Sequence, residues 1–379
     1  MAPNRGGATA VSDTSAEPSP SMRRALALAR EANFGTSPNP MVGAVLVRDG
    51  VVLGEARHAR AGEAHAEVLA LRAAGGRAEG ATLYVTLEPC AHEGRQGPCA
   101  AAFAEAGVSR VVASMEDPDP RVQGRGLEWL RRAGVEVEVG DGAAGAEELN
   151  RRWLATRREH RAFCGLKFAM SLDGKIATAS RQSRWITGEA ARAEAHRLRG
   201  AYAAVAVGAR TVADDDPRLT ARDGEAEAGR QPLRVVVDGR LGIDPAARIL
   251  DPAGGAPALV VAGRAAVAAR GEALREAGAR VEALGDGERV DLRDLLRLLH
   301  DEGADSLLIE GGGELAWSAV AAGVVDHVYA FVAPLLIGGA TTPTPVGGDG
   351  FADLAAALRL EIVEARRLGE DILVEAVPR

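Results

Sequence analysis

Three short apolar runs constrain the fold more than any other feature: LRVVV at 233–237, ALVVA at 258–262 and SLLI at 306–309. Each is too short for a helix and lacks the polar/apolar alternation of a half-buried strand. Each therefore reads as a strand covered on both faces, as in a parallel sheet with helices packed on each side. The neighbouring segments fit. FCGLKFAMSLDGKIA, AAVAVGART, RVEALG and DHVYAFVAP read as strands, and AEAHRLRGAY reads as a helix. From residue 161 to 379 the chain is expected to form one α/β domain.

A second block of the same kind precedes it. MRRALALAREAN has helical spacing and runs up to Phe34-Gly35. VGAVLVR and VVLGEARH are joined by Asp49-Gly50, a hairpin signal. A helix at 64–75, a strand at 81–89, a helix at 99–108, the strand RVVAS and the helix–strand pair GLEWLRRAGVEVEVG follow. The expected domain spans 21–148, behind a Pro/Gly/Ser-rich tail at 1–20 read as disordered. One arginine-rich helix over 146–161 is expected to bridge the blocks, with 149–160 as linker. Its Arg151, Arg152, Arg157 and Arg158 read as a solvated face.

Two α/β domains suit 379 residues of which 47% are hydrophobic. The net charge of −8 comes without a long basic block, which disfavours nucleic acid as a partner. No run of eighteen apolar residues is present, so no membrane span is expected. The N-terminus has no apolar signal core, and a cytoplasmic setting is expected. Three cysteines make no disulfide framework, so metal binding or catalysis is the better use for two of them. Cys164, inside a strand, reads as a small buried hydrophobe. Lysine occurs only at 167 and 175 in a chain that otherwise uses arginine. A compact ammonium is a different tool from a guanidinium fork, which singles out Lys167.

His65-Ala66-Glu67 opens a helix, Pro89-Cys90 ends a strand, and Pro98-Cys99 opens the next helix. One imidazole and two thiolates suit Zn²⁺ with a fourth position open. Glu67 is placed to relay a proton from water to a leaving amine beside the metal. The pattern matches the zinc-deaminase signature H-x-E…P-C-x-x-C, except that eight residues separate Cys90 from Cys99. A structural zinc with His92 as fourth ligand stays open on these residues alone. In the second block no G-x-G-x-x-G follows the first strand, which argues against a Rossmann site. LLIEGGG, running into a helix, could cradle a pyrophosphate or be an ordinary turn.

PNPMVGAVLV, HAEVLAL and EPCAHEGRQGPC resemble the deaminase domain of bifunctional riboflavin-biosynthesis deaminase/reductases. KFAMSLDGKIA, SRQSRWITG, VGARTVADDDPRLTAR, IEGGGELAWS and APLLIGG resemble, in order, the reductase domain of the same family. The resemblance implies a cytidine-deaminase-like three-layer domain followed by a dihydrofolate-reductase-like domain. It implies zinc on His65, Cys90 and Cys99, Glu67 as proton carrier, and Asn39 on the substrate, although Asn39 between two prolines also reads as a turn residue. It implies NADPH against Met170, Trp185, Thr211, Asp215, Gly239, Gly312 and Gly313. Substrate would meet Ser183, Arg199, Leu219, Arg222 and Glu310, with Lys167 near the reacting carbon or the ribose. Trp185 also reads as core, and Asp214-Asp215-Asp216 as a solvated turn capping a strand. Departures from the family pattern are Ala64 for a proline, Asp119 for an asparagine, and Gln96-Gly97 for Thr-Pro. The implied partner is a phosphorylated pyrimidine, and a homo-oligomer is the expected assembly. The rivals are a base or tRNA deaminase fused to an unrelated reductase, disfavoured by the eight-residue gap and acidic charge, and a zinc-stabilised nucleotide-sensing module, disfavoured by an intact Glu67.

Overall fold

The structure, a computed structural model, describes residues 17–32, 36–91, 99–120, 122–223, 226–227, 231–251 and 255–379. Most of the expected tail, the helix end at Phe34-Gly35, His92 and Gln96-Gly97 lie outside these residues. The chain divides into two compact units, Met1–Glu159 and His160–Arg379.

In the first unit, α1 (Pro20–Arg30) starts with Pro20 in its first turn and Ser19 as its cap, the Ser19 hydroxyl accepting from the Met22 N–H. The hairpin of β1 (Gly43–Arg48) and β2 (Val51–Arg57) forms where Asp49-Gly50 placed it. Both turn residues have positive φ, 50° and 76°, as a two-residue turn of this hand demands. α2 (Ala66–Ala73), β3 (Thr82–Val85), α3 (Cys99–Glu105), β4 (Arg110–Ala113), α4 (Arg125–Arg132) and β5 (Glu136–Val139) follow. The sheet order is β2-β1-β3-β4-β5, antiparallel up to β3 and parallel from there. Two glycines reveal the layering. A Cβ on Gly43 would meet the Ala25 carbonyl of α1 at 2.0 Å, and one on Gly54 would meet the Ala70 carbonyl of α2 at 2.3 Å. Gly54 pairs with Leu46, three residues along from Gly43 and hence on the opposite face. α1 and α2 thus cover opposite sides of the sheet. Leu46, Leu83, Phe103 and Leu127 are wholly buried in the core between.

The expected single helix at 146–161 is two helices. α5 (Ala143–Leu149) and α6 (Arg151–Glu159) break at Asn150. The Asn150 side chain is buried and takes both backbone groups of Met41, accepting from its N–H at 2.8 Å and donating to its carbonyl at 3.0 Å. Nor is the arginine face uniformly solvated: Arg152 is 7% exposed.

The second unit is built on nine strands: β6 (Phe163–Ser171), β7 (Ala204–Gly208), β10 (Leu233–Val237), β11 (Ala258–Ala262), β12 (Arg280–Ala283), β13 (Ser306–Glu310), β14 (His327–Ala333), β15 (Leu360–Leu368) and β16 (Asp371–Pro378). Their order is β12-β11-β10-β7-β13-β6-β14-β16-β15. The first seven in that order run parallel, and β16 and β15 close the sheet as an antiparallel pair. Every residue of β11 and β13 is buried, as the apolar runs require. The small pair β8 (Arg222–Asp223) and β9 (Ala226–Glu227) stands apart. The helices are α7 (Glu189–Ala201), α8 (Ala209–Asp215), α9 (Arg264–Glu276), α10 (Leu292–Asp301) and α11 (Gly313–Ala321). The strand read in AAVAVGART stops at Gly208, and its last residues open α8. Asp214 and Asp215 therefore end a helix instead of capping a strand. No described helix is long and apolar enough to cross a membrane.

Candidate active sites

The first site lies where α2 and α3 begin. His65 caps α2, Cys90 follows the Leu87–Pro89 segment beyond β3, and Cys99 is the first residue of α3. Their ligand atoms all lie within 4.8 Å of one another. His65 Nδ1 is 3.2 Å from Cys99 Sγ and 3.7 Å from Cys90 Sγ. Tetrahedral zinc with its usual Zn–N and Zn–S lengths separates such atoms by roughly 3.5 Å, so the donor set and its spacing fit that ion. The Cys99 backbone N–H also donates to Cys90 Sγ at 3.4 Å. The two thiols share a proton: hydrogen bonding from Cys99, then from His65, draws Cys90 down to about 4, and Cys99 is raised by holding the proton.

Glu67, in the first turn of α2, is 4% exposed. Burial pushes its carboxyl up, against the opposing pull of the His65 ring. A raised carboxyl suits a group that takes up a proton and gives it back.

A cleft of about 450 Å³ opens onto this cluster. Asn39 lines it, and its side-chain amide meets His58 Nε2 at 3.1 Å. His58 Nδ1 faces the Ala64 carbonyl at 3.1 Å. That carbonyl can only accept, so Nδ1 carries the proton and Nε2 accepts from Asn39. Sequence reading missed His58; its only signal is a histidine closing a strand. It also missed Glu88. This buried carboxylate accepts from the backbone N–H groups of Asp117 (3.1 Å), Gly124 (2.9 Å), Gly126 (2.8 Å) and Leu127 (3.4 Å). One side chain thereby holds the turn bearing Asp117 and Asp119 against the cleft they line.

The second unit brings three expected residues together, Lys167, Arg199 and Glu310. β13 and β6 run side by side with Glu310 opposite Lys167. Glu310 Oε2 lies 3.4 Å from Lys167 Nζ, and Arg199 of α7 grips both carboxylate oxygens, at 2.6 and 2.9 Å. Arg199 also donates to the carbonyl of Thr220, the residue after the buried Leu219. Burial alone would raise the Glu310 carboxyl, but Arg199 and then Lys167 outweigh it and hold the group at about 2. Lys167 is lowered, by burial before all else, and Arg199's like charge adds to this against Glu310. His196, one turn before Arg199, donates from Nδ1 to the same Thr220 carbonyl at 3.1 Å and was passed over in the sequence.

Several of the expected cofactor contacts follow the ends of parallel strands, Thr211 and Asp215 after β7, Gly239 after β10 and Gly312-Gly313 after β13, the usual ligand edge of such sheets. Ser183 donates to Asp215 at 2.9 Å. Thr211 stands over the glycine turn, its hydroxyl 3.1 Å from where a Gly312 Cβ would be. Gly312 has φ 81°, and a Cβ on Gly313 would meet the Thr344 carbonyl at 2.8 Å, so this turn needs its glycines. Gly239, after β10, would collide with the Glu288 carbonyl at 1.5 Å if it carried a Cβ. Met170 is on β6, three residues past Lys167. Trp185 is not core: it is 70% exposed, with the Arg192 guanidinium 4.7 Å from its ring centroid. Arg222, on β8, is exposed and makes no ion pair among the described residues.

A three-donor metal cluster beside a buried glutamate fits a zinc deaminase, and a parallel sheet with a glycine turn after β13 fits a nucleotide-binding unit. Comparison with known proteins narrows the class. Residues 16–115 match the cytidine and deoxycytidylate deaminase zinc-binding region, and residues 162–374 match the RibD C-terminal domain. The riboflavin biosynthesis protein RibD of Bacillus amyloliquefaciens is 39% identical over 358 residues, 94% of this chain and 95% of that protein. That of Escherichia coli (strain K12) is 40% identical over 374 residues, 94% and 98% of the two chains. Among solved structures, Acinetobacter baumannii RibD superposes with a TM-score of 0.80 at 37% identity, covering 95% of this chain and 98% of that one. A Thermotoga maritima diaminohydroxyphosphoribosylaminopyrimidine deaminase/5-amino-6-(5-phosphoribosylamino)uracil reductase gives 0.80 at 34%, with the same coverage. The chain belongs to the RibD family of bifunctional riboflavin biosynthesis enzymes.

Proposed function

We propose that the chain carries out two successive steps of riboflavin biosynthesis, one in each unit. The first is hydrolytic deamination of 2,5-diamino-6-(5-phosphoribosylamino)pyrimidin-4(3H)-one. The second is NADPH-dependent reduction of the ribosyl side chain, giving 5-amino-6-(5-phosphoribitylamino)uracil. The observation that carries the reading is the convergence of His65, Cys90 and Cys99, with His65, Cys90 and the buried Glu67 lining one cleft.

His65, Cys90 and Cys99 hold zinc, which when bound supplies Lewis acidity that makes water nucleophilic near neutral pH. Glu67 carries the two protons of the attacking water in turn, one to the ring nitrogen beside the reacting carbon and one to the exocyclic nitrogen, which leaves as ammonia as that carbon becomes a carbonyl. Asn39 holds the pyrimidine edge, oriented by His58. In the second unit NADPH, when bound, would supply the hydride for reduction at C1′ of the sugar. Lys167 holds a proton close to the sugar oxygen, and its ammonium is positioned by Glu310, itself fixed by Arg199. Ser183, Leu219 and Arg222 complete the sugar-phosphate side. Met170, Trp185, Thr211, Asp215, Gly239, Gly312 and Gly313 form the nucleotide side. The reading includes a cytoplasmic, homo-oligomeric enzyme.

Mass spectrometry of the substrate after incubation with purified, zinc-loaded enzyme tests this. Without NADPH the amine is replaced by oxygen; with NADPH two hydrogens are added as well. An unchanged substrate under both conditions refutes the proposal.

A further inference from the structure

The described lining of the deaminase cleft holds four carboxyl-bearing side chains and one fixed cation. Glu67, Glu88, Asp117 and Asp119 all line it. His58 is engaged at both ring nitrogens, by Asn39 and by the Ala64 carbonyl. Among the described lining residues, Arg157 is the only arginine or lysine. It comes from α6, the helix whose arginines read in the sequence as a solvated face, and it is half-buried. No carboxylate among the described residues pairs with it, whereas Arg158, next along, reaches Glu147 at 3.2 Å. Its guanidinium lies 5.9 Å from the ring centroid of Trp153, one turn earlier on the same face. Trp153 lines the cleft too, at 8% exposure, and its indole Nε1 is buried with no hydrogen-bond partner among the described residues. A buried indole N–H ordinarily has an acceptor. An unneutralised guanidinium and an unanswered donor thus stand together in the lining of the cleft.

We propose that Arg157 and Trp153 form the anion-binding end of the deaminase cleft, taking the phosphate monoester of the substrate and setting the preference for a phosphorylated aminopyrimidine over its dephosphorylated form. Arg157 offers the phosphate a planar pair of donors. Stacking on Trp153 holds the guanidinium plane in place, and the indole N–H adds a third donor. The inference rests on the deaminase reading of this cleft and adds a substrate-discriminating element to it.

Ammonia release is measured for the full-length zinc-loaded enzyme and for Arg157→Gln, Arg157→Lys and Trp153→Phe, on the phosphorylated substrate and on the same compound after phosphatase treatment. Zinc content in each variant reports an intact cleft. Arg157→Gln lowers the ratio of kcat/KM values, phosphorylated over dephosphorylated, by about 10- to 100-fold, chiefly through KM. Arg157→Lys restores part of the ratio, and Trp153→Phe lowers it a few-fold. A zinc-replete Arg157→Gln enzyme with an unchanged ratio, or with equal losses on both substrates, overturns the inference and leaves the deaminase reading standing. No ammonia from the wild-type enzyme on either substrate overturns the deaminase reading itself.

Discussion

Lys167, Glu310 and Arg199 show how one carboxylate manages two cations in a buried place. Arg199 takes the bidentate position, at 2.6 and 2.9 Å, and leaves Lys167 a single 3.4 Å contact. The lysine is therefore the less committed partner. Replacing it with methionine keeps the bulk and removes the proton: Lys167→Met should lose most of the NADPH-dependent step while ammonia release stays at the wild-type rate. Equal reductase rates would end its assignment. Glu310 carries a pH signature of definite sign. Its folded value of about 2 lies below the ordinary carboxylate value, so the stability it adds is complete above about pH 4.5 and disappears as pH falls toward 2. A shift of that size corresponds to about 3 kcal/mol. Urea unfolding at pH 6 and pH 3 should show wild type losing more stability than Glu310→Gln between the two. The register that sets Glu310 opposite Lys167 was not legible beforehand, because sequence identifies strands but not which of them lie side by side.

At the scale of elements, the break between α5 and α6 has its cause far away in the chain. Asn150 stops one helix in order to hold Met41, 109 residues earlier, beside the Asn39-Pro40 wall of the cleft. Asn150→Ala leaves a buried N–H and carbonyl of Met41 unanswered, a loss of about 1–3 kcal/mol. The first unit should melt several degrees lower, with a raised KM for deamination; an unchanged melting temperature would rule out this anchoring role. Local patterns do reveal what local chemistry decides. Asp49-Gly50 gives the hairpin, the apolar runs give buried strands, and the His65-Ala66-Glu67 and Pro89-Cys90 pieces give the metal cluster. They do not reveal what tertiary contact decides. α6 reads as charged and soluble because its arginines dominate the pattern, and only the fold shows that Arg152 is buried and Arg157 faces the cleft. Glu88 gave no signal either, since its four partners are backbone groups supplied by a turn some thirty residues on.

At the scale of the whole molecule, the described residues of each candidate site come from a single unit. Every described residue that lines the deaminase cleft comes from the first, and Lys167, Arg199 and Glu310 all come from the second. The two chemistries should therefore be separable in the intact chain. A zinc chelator should abolish ammonia release and leave NADPH oxidation with the deaminated intermediate unchanged. Glu67→Ala should have the same outcome with its zinc retained, as elemental analysis would report. Parallel loss of both activities after chelation would contradict this independence.

The scarcity of lysine has a practical corollary. Only Lys167 and Lys175 carry a side-chain amine, and Lys167 is sequestered against Glu310 with 13% of its side chain exposed. Amine acylation under native conditions should mark Lys175 and any free terminal amine first. A further mass increment, mapped to Lys167 by peptide analysis, then appears only when the ion cluster opens, so intact-mass measurement becomes a label-based clock for the opening of the reductase centre.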